Sequence, residues 1–90
     1  MKIANSDIIR LTEIKQYFLD PPYTFKLYAQ STPLLEEASV ILQKYFPATD
    51  TLFQQIGDIK QQMDELSQSA DKLRPVLRNA GILLNSVNKR

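Results

Sequence analysis

From Leu52 onward, apolar residues recur alternately four and three apart without a missed step: Leu52, Ile56, Ile59, Met63, Leu66, Ala70, Leu73, Leu77, Ala80, Leu84 and Val87. That spacing keeps one stripe on one face of a helix and is the pattern of a heptad seam. A strand alternates with period two and cannot carry it, so the C-terminal 40% of the chain is committed to helix. As one rod the seam would run ~54 Å, longer than a 90-residue domain needs. Pro75 also falls inside it, where it removes an amide donor and clashes with the carbonyl of Asp71. Ser67-Gln68-Ser69 just before is poor helix-propagating sequence. Two helices are therefore expected, about Thr51 to Ser69 and about Lys72 to Val87. Periodicity alone leaves open whether they form a kinked rod or a hairpin.

The earlier half reads as helix as well. Ser6 is placed to cap a first helix whose stripe is Ile8, Leu11, Ile14 and Phe18, and Asp20-Pro21-Pro22 stops it. Residues 23–30 read as a loop followed by one helical turn. Ser31-Thr32-Pro33 is a helix-start signal, a hydroxyl cap before proline. Leu34, Leu35, Ala38, Ile41, Leu42 and Tyr45 then give a broad apolar face that Pro47 ends. Thr51 and Gln54 have capping-box spacing for the third helix. The expected fold is all-α: a single domain over residues 1–90, a small helical bundle of about four segments, closed alone or completed by dimerisation through the C-terminal seam.

Composition narrows the function by residue type. The chain has no Cys, His or Trp. Disulfides, thiolate chemistry and zinc knuckles are excluded, and with them the imidazole proton shuttle. Glu36-Glu37 and Asp64-Glu65 are adjacent pairs, which diverge by about 100° on a helix instead of converging on a substrate. Asp58, Asp64 and Glu65 have no regular cation-ligand spacing, and Gly57 and Gly81 stand alone within helical patterns. No enzyme, cofactor or metal is expected. The N-terminus lacks the apolar core of a signal peptide and no apolar run reaches membrane-spanning length, so a cytoplasmic location is expected.

Two features bear on partners. Eleven Lys+Arg against ten Asp+Glu look balanced, but residues 31–70 carry a net −4 and residues 71–90 a net +4. Antiparallel folding of the last helix on an acidic neighbour would bring these regions together, as would pairing of two chains. Five of the eight aromatics, Tyr17, Phe18, Tyr23, Phe25 and Tyr28, cluster around Pro21-Pro22. Thr24 breaks a PPxY ligand and Lys26 breaks a YxxΦ signal, so the cluster either pins the first connection to the bundle or forms a partner surface. The function these features favour is a non-catalytic helical protein–protein interaction module: an adaptor, assembly factor or small chaperone-like protein. Its expected partner-binding residues are Leu52, Ile56, Ile59, Met63 and Leu66 of the seam, with Tyr23 and Phe25. The alternative is a small regulator that binds nucleic acid through Lys72, Arg74 and Arg78. A remoter one is an all-helical acid–base enzyme without histidine.

Overall fold

The computed structural model describes residues 2–23 and 26–87. Four helices follow in order: α1 (Asn5–Leu19), α2 (Leu27–Gln43), α3 (Thr51–Glu65) and α4 (Ala70–Val87). No strand occurs among the described residues.

Cross-helix contacts fix the topology. Asp7 lies by Tyr45, Arg10 by Glu37, and Tyr17 by Gln30, so α1 and α2 run antiparallel. Tyr28 bonds Asp64 and Lys60 pairs with Glu36, which reverses α3 against α2. Lys15 reaches Asn85 while Pro21 meets Arg74, so α4 runs against α1. The result is an up-down-up-down bundle in which each helix packs on its chain neighbour and α4 closes onto α1.

The seam turns back on itself at residues 66–69, which settles the hairpin in place of the rod. The longest dimension of the molecule is 38 Å. Helix α3 stops at Glu65, four residues before the expected end. Leu66 still donates to Gln62, but Ser67 and Ser69 take short-range bonds to Asp64 and Leu66. The Ser69 hydroxyl then accepts from the Lys72 amide at 3.4 Å, so α4 begins at Ala70. Pro75 lies in the second turn of α4, past the hairpin.

Leu52, Ile56, Ile59 and Met63 are buried in the core with Leu73, Leu77, Ala80, Leu84 and Val87, and Leu66 and Ala70 pack half-buried beside them. The seam expected to meet a partner helix is filled from within the chain. Leu11, Ile14 and Phe18 complete the core from α1, and Leu27, Leu35, Ala38, Ile41 and Leu42 from α2. Ile8, placed on the first stripe by its spacing, lies at the solvent edge at 38% exposure.

Three local expectations are corrected. Ala4, not Ser6, is the N-cap of α1, and it offers no side-chain cap. Helix α2 begins at Leu27, a full turn before Ser31-Thr32-Pro33. The two hydroxyls donate back to the carbonyls of Leu27 and Tyr28 and so continue a helix instead of starting one. Burial of Leu27 at the end of the core draws that turn into the helix. The cap of α3 is Asp50, whose carboxylate accepts from the Leu52 amide at 2.9 Å, in place of the Thr51–Gln54 box.

Charge is distributed differently from the simple segregation as well. Ion pairs join α1 to α2 through Arg10–Glu37, α2 to α3 through Glu36–Lys60, and Asp7 to Lys44. Among the described residues, no ion pair joins the acids of α3 to the bases of α4, although the hairpin sets these helices side by side.

Candidate functional site

The end of the bundle where α1 hands over to α2 and α3 to α4 carries a cleft of about 490 Å³. Leu27 and Leu73, both buried, line it with Tyr23, Tyr28, Asp71 and the turn at residues 67–70. The chain reaches this place by simple local chemistry. Asp20 leaves the helical region at φ −137°, as the residue before proline must, and Pro21 then carries the chain against α4.

Arg74 fastens that connection. Its Nη1 donates to the Pro21 carbonyl at 2.7 Å, and its guanidinium carbon lies 4.6 Å from the centre of the Tyr23 ring. Nε and Nη2 are buried without a hydrogen-bond partner, so one hydrogen bond and one ring face hold the group. The Tyr23 hydroxyl donates to Asp71 at 3.4 Å. Tyr23 nevertheless stays 75% exposed. Across the cleft, the Tyr28 hydroxyl donates to Asp64, and this bond together with burial pushes the Tyr28 phenol above its ordinary pKa.

The aromatic cluster around Pro21-Pro22 thus splits by role. Phe18 is wholly buried and meets Tyr17 edge to face at 5.8 Å, whereas Tyr23 and Tyr28 line the cleft. Phe25 lies outside the described residues, as do Lys89 and Arg90. Of the basic candidates, Lys72 and Arg78 are exposed and Arg74 is committed to the connection. Arg74 and Arg78 share a second cleft with Asp20 and Asp71, so carboxylates sit among the cations. Asp71, Leu27 and Leu73 are not among the partner-binding residues expected from the sequence, although Leu73 belongs to the seam. No local signal links Tyr23 to Arg74, because the pairing exists only once the bundle closes.

The carboxylate pairs that could have suggested catalysis are individually engaged. Glu36 meets Lys60, Glu37 meets Arg10, Asp64 accepts from Tyr28 and Glu65 from Gln61. No group of three or more metal-ligating side chains occurs among the described residues. No described helix is long and apolar enough to cross a membrane. Comparison with protein-family models, with curated proteins and with solved structures gives no match to this chain.

Proposed function

We propose that this chain is a non-catalytic helical interaction module of the cytoplasm, an adaptor, assembly factor or small chaperone-like protein, and that its working surface is the bundle end at Tyr23. The observation that carries this reading is a tyrosine three-quarters exposed yet clamped, by Arg74 on its ring and Asp71 at its hydroxyl, beside an apolar-lined cleft. Rings held in their bound geometry before contact lose little entropy on binding, and Tyr and Arg are the residue types that dominate interface energetics. Asp20 and Asp71 among the cations of α4 favour a protein partner over a polyanion, whose phosphates they would repel.

Affinity capture from the native extract, run with the unaltered chain, Tyr23→Ala and Arg74→Lys, tests the reading, with circular dichroism to check the fold. A protein retained by the unaltered chain and lost with Tyr23→Ala supports it. Arg74→Lys should weaken retention too, since an ammonium cannot stack and reach the Pro21 carbonyl together. Equal retention by all three, or retention of nucleic acid alone, overturns it. Solution mass tells a different partner protein from a second copy.

A further inference from the structure

The hairpin of α3 and α4 presents an outer face on which charges of both signs stay unpaired. Asp58 and Glu65 are exposed on α3, Lys72 and Arg78 on α4, and no ion pair joins any of them to another described residue. Glu65 accepts only from Gln61 of its own helix. Asp20 and Asp71 share a cleft with Arg78 without coming within ion-pair distance of it. By contrast, Arg10 and Lys60 are each paired with a carboxylate of α2. Between α3 and α4 an open groove of about 590 Å³ has Gln55, Asp58 and Gln62 on one wall and Asn79, Leu83 and Ser86 on the other. Ile82 lines the groove as well and is 56% exposed. A lone exposed isoleucine is ordinary, and it is the charge around this one that selects an occupant.

Antiparallel helices rise equally from the turn that joins them, so heights on the two can be matched by counting. Asp58 lies eight residues before Leu66 and Arg78 eight after Ala70, which sets them level. Glu65 and Lys72 are level in the same way, close to the turn. Asp71, the other acid at that height, is drawn toward the Tyr23 hydroxyl. The acids thus form a row along α3 and the cations a row along α4, at matching heights. A two-fold rotation about the groove exchanges the rows. Helix α3 of each copy then lies antiparallel on α4 of the other, with Asp58 opposite Arg78 and Glu65 opposite Lys72, and each pair is made twice. A uniformly acidic or basic partner would satisfy one row and repel the other. We propose that the α3–α4 face is a homodimer interface, in which a second copy of this chain covers Ile82 and the groove and sets its Arg78 against Asp58. The inference goes beyond the surface at Tyr23 and gives a second face a defined occupant.

Analytical ultracentrifugation of the full chain, at roughly 10 μM to 1 mM, tests this, with circular dichroism to check each fold. The mass should climb with concentration from 10.3 kDa toward twice that value, and less steeply in high salt. Ile82→Lys, at a position exposed in the single chain, should leave a folded monomer. Asp58→Arg and Arg78→Glu should each weaken self-association by more than about tenfold, because the two-fold repeats the like-charge contact. Mixed in equal amounts, these two variants should associate again, since both contacts between positions 58 and 78 then join opposite signs. A chain that stays at 10.3 kDa throughout overturns the interface. So does a dimer indifferent to Ile82→Lys or to the charge reversals, or a mixture that stays monomeric. Tyr23→Ala should leave the mass unchanged, so failure of this dimer and failure of the reading at Tyr23 are told apart.

Discussion

At the scale of single residues, the two glycines of this chain make opposite predictions for one substitution. Gly81→Ala forces a methyl into Leu19, and overpacking of that kind costs about 1–3 kcal/mol, more than the ~1 kcal/mol that alanine returns as helix propensity. Gly57→Ala meets open space and should stabilise the fold by roughly 0.5–1 kcal/mol. Urea denaturation of the two variants decides this, and midpoints moving in the same direction would contradict the packing described at Leu19. Nothing in the sequence separates these glycines, because each is a lone Gly in a helical stripe. What distinguishes them is a contact across 62 positions that forms only when α1 closes onto α4. The seam residues were legible for the opposite reason. Burial of Leu52, Ile56, Ile59 and Met63 follows from spacing along one helix, which is local information.

At the scale of elements, helix boundaries moved where tertiary burial outweighed a local signal. Ser31-Thr32-Pro33 carries every mark of a helix start, yet burial of Leu27 extends α2 upstream and leaves Pro33 inside the helix. The heptad register likewise passes uninterrupted through a reversal of the chain, because Leu66 and Ala70 flank the turn at the spacing a continuous helix would have. Pro75 was readable as an interruption but not as the hinge, which is Ser67-Gln68-Ser69. Since Pro75 lies within α4 and outside that turn, Pro75→Ala restores an amide donor to the Asp71 carbonyl. We expect a gain of about 1 kcal/mol, net of the entropy that alanine returns to the unfolded chain, read as a higher denaturation midpoint. A loss of stability would mean that the proline shapes the hairpin. The cleft at Tyr23 belongs to this scale as well: the aromatic cluster marked the connection, but its partners on α4 became identifiable only through the hairpin.

At the scale of the whole molecule, one cation ties α1 to α2. Both carboxylate oxygens of Glu37 meet Arg10, which also reaches Glu13 at 2.9 Å. The bond to Arg10 holds the Glu37 carboxyl below its ordinary 4.5. A carboxylate depressed in the folded state contributes stability that is present above the unfolded pKa and lost as pH falls through the folded one. The fold should therefore lose stability on acidification below about pH 4.5, and Arg10→Gln should flatten that part of the profile by lowering stability at neutral pH, so that the two proteins converge in acid. Equal slopes for both proteins would assign the acid sensitivity to other carboxylates. At the alkaline side the sign reverses. Tyr28 is raised by its bond to Asp64, so its contribution is held below the unfolded phenol pKa and lost as pH rises beyond it.

Pro33 and Pro75 sit in the early turns of α2 and α4, and both helices start at the same end of the bundle. Each proline deletes the hydrogen bond that would have tied its first turn to the rest of the helix, at the carbonyls of Ala29 and Asp71. The turns that precede these prolines should therefore open more readily than the rest of each helix. Amide protons of residues 27–32 and 70–74 should exchange with deuterium through local opening, sooner than those of residues 35–43 and 76–84, which await global unfolding. Uniform protection along both helices would contradict this. Opening of residues 70–74 would release Asp71 and Arg74 from Tyr23, so the clamped ring and the first turn of α4 hold or let go together.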